Sequence, residues 1–117
     1  MTDQLLTVDY ETYFCTKTRY SLSARDMTTE QYIRDPRFQI IMVGVKVGDG
    51  EPVWHSGDHD EVREFLGDLG YENAYVVHHN AHFDGAISTW QLGLKPKFIF
   101  DTLSMARPIW GLGKACP

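Results

Sequence analysis

The chain has 117 residues, of which 43% are hydrophobic and 13% aromatic, and its formal net charge is −5 at pH 7. This length fits one α/β domain with a buried core and argues against disorder. The acidic balance argues against a broad basic surface for nucleic acid, although carboxylates that bind cations can form a locally positive site.

Cysteine content and the N-terminal residues indicate where such a protein works. Only Cys15 and Cys116 are present, without metal-ligand spacing, which favours a reduced protein over a disulfide-bonded one. Residues 1–4 form no signal peptide, and no segment approaches the roughly 18 apolar residues of a membrane span. We therefore expect a cytoplasmic protein with no membrane partner.

The predicted elements alternate along the chain. Apolar runs predict strands over residues 5–9, 38–47, 51–54, 74–78 and 98–100. Helical spacing predicts helices over residues 28–35, 58–69 and 80–92, with another from 101 through 109. Residues 14–27 have no clear period and predict a loop. An early antiparallel part followed by alternating strands and helices predicts a mixed sheet with helices packed on it.

Two helix starts carry a capping-box pattern, in which a side chain at the cap and another three residues later each accept a backbone N–H. Thr28 with Gln31 begins the first predicted helix, and Asp58 with Glu61 begins the second.

Asp9 and Glu11 are the first candidate site residues. They follow an apolar run that is expected to be a buried strand, and Asp9 ends it. Residues i and i+2 of an extended chain point to the same side, so both carboxylates should face together. Such a pair is repulsive unless a cation lies between its members, and a divalent cation is the usual partner. A solvated strand end is the alternative interpretation.

The second candidate site lies where the strand over residues 74–78 runs into a helix. Strand ends of an α/β sheet are where sites are built, so Asp84 could meet Asp9 and Glu11 if the two strands are neighbours. The alternative is local: Asp84 complements the helix dipole, and Asn80 caps the helix.

Together these segments resemble the DEDD superfamily of 3′–5′ exonucleases. That family has an aspartate and a glutamate separated by one residue at the end of the first strand, as at Asp9 and Glu11 here. Its second motif is Asn-x-x-Phe-Asp, matched by residues 80–84, and residues 101–107 resemble the segment that follows. The resemblance is strongest to the N-terminal proofreading exonuclease domain of a phage or bacterial DNA polymerase.

The resemblance implies a ribonuclease-H-like fold, a mixed sheet with flanking helices, and phosphodiester hydrolysis at DNA 3′ ends with two Mg²⁺ or Mn²⁺ ions about 3.5–4 Å apart. It implies that Asp9 bridges both ions, that Glu11 supports the ion nearer the attacking water, and that Asp84 holds the other. It also implies partners: a single-stranded DNA 3′ end, and a polymerase domain or the remainder of the exonuclease domain. By the same resemblance, residues that contact the substrate are Thr12, Asn80 and Phe83. A core position beside Ile87 and Trp90 is the alternative for Phe83.

The chain departs from the family in one respect. The family needs a fourth carboxylate on a later helix, preceded by a Tyr or His, and no Asp or Glu follows Asp101. Asp101 is expected to cap a helix instead. Residues 1–117 therefore resemble the N-terminal portion of a single exonuclease domain that is incomplete at its C-terminal side. Such a domain should leave an apolar patch uncovered, and we expect self-association or marginal stability.

Other interpretations stay open at this level. His78 and His82 have i, i+4 spacing, which would suit zinc only if both lay on a helix, and His78 is expected to end a strand. Lys17, Arg19 and Arg25 are either ordinary solvated charge or contacts for DNA phosphates. The alternatives to a DNA exonuclease are a non-catalytic ribonuclease-H-like module that binds nucleic acid or a partner, and an RNA-trimming exonuclease.

Overall fold

One mixed sheet of five strands organises the protein, and the computed structural model describes residues 4–23, 26–103 and 105. The strand order is β3-β2-β1-β4-β5. Strand β1 pairs antiparallel with β2 and parallel with β4, and β5 adds to β4 in parallel. The bounds are β1 Gln4–Thr12, β2 Ile40–Val47, β3 Val53–His55, β4 Ala74–His78 and β5 Phe98–Asp101. The predicted mixed sheet with flanking helices is confirmed, and it is consistent with a ribonuclease-H-like fold.

The helices begin where the sequence places their caps. Both capping boxes are present, with Thr28 and Gln31 at the start of α1 and Asp58 and Glu61 at the start of α2. The helix bounds are α1 Thr29–Arg34, α2 His59–Asp68 and α3 Ala81–Ala86, and a π turn continues α3 over Ile87–Gln91. Short 3₁₀ turns occupy Thr16–Thr18 and Tyr71–Asn73.

Some predictions fall on residues outside the described ranges. Residues 102, 103 and 105 are helical, as predicted, but the rest of the helix expected through residue 109 lies outside the described residues. Arg25 and Cys116 also lie outside them.

The core lies on one face of the sheet, which we call the covered face. Alternate side chains of β1, namely Leu6, Val8 and Tyr10, are buried there. They belong to one cluster with the apolar side chains of the helices, including Val62 and Leu66 of α2. Burial of this apolar surface is the main source of stability for the fold.

The other face of the sheet, which we call the open face, exposes apolar side chains in the described part of the chain. Leu5 of β1 is 44% exposed, Trp54 of β3 53% and Phe98 of β5 54%. Exposed apolar side chains are therefore present on this face, and the self-association expected from the sequence stays a prediction.

Three local predictions are wrong in detail. The first strand is longer than predicted and only half-buried, because its side chains alternate between the two faces, and Asp9 lies inside it. Trp90 does not belong to a buried stripe, since it is 43% exposed. The π turn changes the spacing after Ile87, so a regular 3.6-residue period does not describe this helix.

The described residues of the 13–27 loop, namely 13–23 and 26–27, are more ordered than a loop without periodicity suggests. Tyr20 is fully buried, and its ring stacks on that of Tyr32 of α1 with centroids 4.6 Å apart. The Tyr20 hydroxyl donates to the Tyr32 carbonyl oxygen at 2.9 Å. Backbone hydrogen bonds between Cys15 and Tyr20 close the turn. This aromatic packing fixes the loop beside the end of β1.

The longest helix in the described residues, α2, has ten residues. None of the helices in this part of the chain has the length and apolar character that a membrane crossing requires.

Candidate active site

Strand β1 presents Asp9 and Glu11 from the open face. Both side chains are exposed, while Val8 and Tyr10 between and beside them are buried on the covered face. The prediction that the two carboxylates share one side is therefore confirmed. Across the sheet, Asp9 pairs with Gly44 of β2.

The aromatic ring of Trp54 covers Gly44. A Cβ at Gly44 would lie 2.6 Å from the Trp54 ring, so a side chain at this position would collide with it. Glycine at this position lets an aromatic surface approach the strand beside Asp9.

The turn between β4 and α3 places the second motif next to the first. Strands β1 and β4 are neighbours, with Thr7 opposite Val77, so the condition set for Asp84 to approach Asp9 is met. Asn80 adopts a left-handed backbone conformation with φ +82°, and its side chain makes no capping hydrogen bond. Asn80 is the N-cap residue of α3, as the local alternative predicted, but it lacks the side-chain hydrogen bond that usually makes such a cap stabilising.

Asp101 supports this turn. Its Oδ1 accepts the backbone N–H of Asn80 at 3.0 Å and that of Leu103 at 3.1 Å. The second bond is the predicted capping role, and the first ties the end of β5 to the β4–α3 turn. Asp101 thus holds the left-handed residue Asn80 in place.

Asp84 is a strongly perturbed carboxyl group near this edge of the sheet. It is only 4% exposed, and burial is the main cause that raises its pKa to about 8. The negative charge of Asp9 is the next cause, followed by the charges of Asp101 and Glu11. Asp84 therefore lies within electrostatic range of both β1 carboxylates and is protonated at neutral pH in the metal-free chain.

The donor set fits a hard divalent cation in chemistry, because carboxylate oxygens are the ligands that Mg²⁺ and Mn²⁺ prefer. Burial is the main cause of the raised pKa of Asp84, and a cation would relieve the additional repulsion from the neighbouring carboxylates. The positions are not yet those of an assembled site: within residues 4–23, 26–103 and 105, no three His, Cys, Asp or Glu side chains have the spacing to hold a metal ion.

The zinc alternative fails on placement. His78 ends β4 and is fully buried, whereas His82 is exposed on α3, so the two imidazoles do not share a helix face.

A cleft of about 500 Å³, the site cleft, opens beside Glu11. Its lining combines hydroxyl groups with aromatic and aliphatic side chains: Tyr10, Glu11, Thr12, Phe14, Thr16, Ser21, Leu22, Tyr32 and Phe83. The Thr12 hydroxyl is hydrogen-bonded to that of Tyr32 at 2.9 Å. Phe83 is half-buried against the core and also borders the cleft, so both interpretations of this residue describe part of its surroundings.

Asn80 borders a second cleft, of about 420 Å³, between the 13–27 loop and the start of α1. The resemblance implied three substrate-contact residues. Thr12 and Phe83 therefore line the site cleft, whereas Asn80 lines the second cleft. Leu22 borders both clefts.

Sequence reasoning did not identify a buried polar network beneath the carboxylates, formed by Tyr10, Tyr71, His78 and Ser88. Two signals were available. His78 occupies the same face of β4 as the apolar residues Ala74 and Val76, and Ser88 follows Asp84 by four residues on the same helix. Nothing in the sequence marks Tyr71.

Comparisons with known proteins find similarity at the level of structure. No protein-family model and no curated protein matches the chain. The family B DNA polymerase from the archaeon Pyrobaculum calidifontis is similar with a TM-score of 0.47 and 18% identity, over 80% of this chain and 12% of that one. The RNase D of Trypanosoma brucei, solved with RNA U12, has a TM-score of 0.49 and 18% identity, over 84% and 30%. The chain spans less than a third of either protein, and similarity at this level assigns no activity.

Proposed function

We propose that the chain carries the site of a metal-dependent 3′–5′ exonuclease that hydrolyses phosphodiester bonds at the 3′ ends of single-stranded DNA. The observation that supports this most is the buried carboxyl group of Asp84, whose pKa is raised to about 8 by burial and further by neighbouring carboxylates that include Asp9 and Glu11. Strongly perturbed acidic groups beside a cleft are typical of functional sites. The motif resemblance gives the reaction class.

In this proposal Asp9, Glu11 and Asp84 are the metal ligands. Two Mg²⁺ or Mn²⁺ ions, when bound, supply an activated water and stabilise the leaving oxygen. Asp84 must lose its proton to act as a ligand, so cation binding and release of this proton are coupled. We therefore expect metal binding to strengthen between pH 6 and 8, as Asp84 becomes easier to deprotonate.

The site cleft is the proposed position of the terminal nucleotide. Phe83 and the exposed ring of Phe14 offer surfaces on which a base can stack, and Thr12 lies beside Glu11. Lys17 and Arg19 are exposed on the loop that borders the cleft through Thr16, and they provide positive charge for phosphates.

The decisive experiment measures shortening of a single-stranded DNA oligonucleotide labelled at its 5′ end, with Mg²⁺ or Mn²⁺. A ladder of products that shorten from the 3′ end is expected, and Asp9→Ala should reduce it to background because a carboxylate that would hold the metal ions is lost. Asp49→Ala is the matched control, since it removes the same charge in the β2–β3 turn, at the other end of β1. Unchanged activity in Asp9→Ala contradicts the proposal.

A non-catalytic module is the second candidate, because the described residues contain no assembled metal site. Calorimetric titration with Mn²⁺ separates the two candidates. Two binding events per chain, of which at least one is lost in Asp84→Asn, support the exonuclease, whereas DNA binding without metal binding supports the module.

An RNA-trimming exonuclease of the same chemistry is distinguished by matched RNA and DNA oligonucleotides. Equal or faster shortening of RNA would assign the RNA activity. The proposed protein partner is a polymerase domain or the rest of an exonuclease domain.

A further inference from the structure

A chain of hydrogen bonds runs through the core directly beneath the carboxylates. The Tyr10 hydroxyl lies 2.6 Å from the Ser88 hydroxyl, which lies 2.8 Å from that of Tyr71. The Tyr71 hydroxyl in turn lies 3.3 Å from Nε2 of His78. Tyr71, His78 and Ser88 are fully buried, and Tyr10 is nearly so. All four belong to the polar network defined above, which is enclosed by the covered face and α3.

One end of the network holds the backbone beside Asp9. His78 Nδ1 lies 2.9 Å from the carbonyl oxygen of Val8, the residue before Asp9. A carbonyl oxygen only accepts hydrogen bonds, so Nδ1 must carry the proton and donate it. This bond joins β4 to β1 through a side chain, at the point where β1 begins to present its carboxylates.

The other end of the network holds the helix that carries Asp84. Ser88 follows Asp84 by one helical turn and belongs to the π turn after α3. Asp84 also approaches the network directly, because its Oδ2 lies 3.8 Å from Nδ1 of His78. The network therefore connects the backbone of Asp9 with the helix of Asp84.

Two forces act against this arrangement. Buried polar groups contribute little net stability, and apolar side chains of similar volume often stabilise a core as well or better. The carboxyl groups of Asp9, Glu11 and Asp84 also repel one another when they are ionised. A polar network at this position is explained if it fixes a geometry that hydrophobic packing alone would leave loose.

We propose that Tyr71, His78 and Ser88 are positioning residues that fix the backbone before Asp9 relative to the helix of Asp84, the two elements that carry the proposed ligands of a divalent cation. This inference rests on the proposed function. Groups that orient metal ligands from outside the coordination shell affect metal affinity, and their loss typically costs a factor of about 10–100.

The test measures Mn²⁺ affinity by calorimetry on the full chain, together with unfolding by urea without metal. Tyr71→Phe and Ser88→Ala each remove one hydroxyl from the network. Tyr20→Phe is the matched control, because it removes an equally buried tyrosine hydroxyl that donates to the Tyr32 carbonyl instead. We expect about tenfold weaker Mn²⁺ binding in the two network variants. In Tyr20→Phe, Mn²⁺ affinity should stay within about twofold of the original chain, despite a similar loss of stability.

The double variant Tyr71→Phe/Ser88→Ala sharpens the result. Residues of one network are not additive, so its affinity should be close to that of the weaker single variant. If Tyr71→Phe does not fold, the Mn²⁺ affinity of Ser88→Ala decides whether the network has a positioning role.

The outcomes separate the two proposals. Unchanged Mn²⁺ affinity in the network variants, or an equal loss in Tyr20→Phe, overturns the positioning role, while loss of binding in Asp84→Asn still supports the site itself. A chain that binds no Mn²⁺ overturns the proposed function and the positioning role with it.

Discussion

The two faces of the sheet place the side chains of strand β1 in different environments. On the covered face, Leu6 and Val8 of β1 pack beneath the helices. On the open face, the same strand exposes Leu5, Asp9 and Glu11. Alternate side chains of a strand point to opposite faces of the sheet. One strand can therefore contribute apolar side chains to the core on one face and candidate functional side chains on the other.

The division has a cost on the open face. Trp54 and Phe98 are more than half exposed there, and β5 lies at the edge of the described sheet. Exposed apolar patches and unpaired sheet edges favour association with other surfaces. We therefore expect substitutions on the two faces to differ in their effect on the free energy of unfolding as the two faces differ in burial.

The largest effect is expected from the covered face. Leu66→Ala removes a fully buried side chain from the core and should lower the free energy of unfolding by about 3 kcal/mol. Leu5→Ala is the matched variant on the open face and should cost less than about 1 kcal/mol, because that side chain is 44% exposed. Chemical denaturation with circular dichroism measures both. Equal losses would contradict the distinction between the faces.

A smaller effect on the free energy of unfolding is expected at Asp84, the buried carboxyl group in the first turn of α3. Because its pKa is raised to about 8, the folded metal-free chain holds a proton between pH 4 and 8 that the unfolded chain has released. The contribution of Asp84 to stability is therefore complete below pH 4 and is lost as the pH rises through 8. Asp84→Asn keeps the neutral form at every pH, so its stability relative to that of the original chain should rise steadily from pH 4 to pH 8.

The measurement is urea denaturation of both chains at pH 4, 6 and 8 without metal. The difference should be close to zero at pH 4 and grow with pH. A difference that does not change with pH would contradict the burial of an ionisable group here. Saturating Mn²⁺ should stabilise the original chain and leave Asp84→Asn nearly unchanged.

The smallest change in stability is expected on the open face. Trp54→Lys combined with Phe98→Lys should change the free energy of unfolding by less than about 1 kcal/mol, because both side chains are exposed. The same variant should abolish the concentration-dependent self-association that we expect of the original chain in sedimentation velocity. A monomeric original chain at high concentration would show that the exposed patch does not drive association.

The sequence predicted most of the fold because its signals are local. The capping boxes at Thr28 and Asp58 mark helix starts through hydrogen bonds within four residues. The apolar run of β4 was predicted with its observed bounds, Ala74–His78. Strand alternation also predicted that Asp9 and Glu11 share one side, since that depends only on backbone geometry.

The parts that could not be predicted depend on distant contacts. The polar network joins Tyr10 to Ser88, which are 78 residues apart, and no local pattern announces such a pair. The left-handed conformation of Asn80 depends on Asp101, a residue of another strand. The burial of Tyr20 depends on stacking with Tyr32, so a segment without periodicity acquires a fixed position.

The π turn over Ile87–Gln91 changes the direction in which side chains point around the axis of the helix that α3 begins. Before the turn, Asp84 lies within electrostatic range of Asp9 and Glu11. Within the turn, Trp90 lies beneath the Arg34 guanidinium, 4.6 Å from the ring centroid, and Gln91 donates to the Ile33 carbonyl. A regular helix keeps one angular register along its length, and a π turn offsets it by one residue. One continuous segment thus serves two partners, the site and α1. Deleting a single residue within the turn would rotate the second half of the helix by about 100° relative to the first and disconnect one partner from the other.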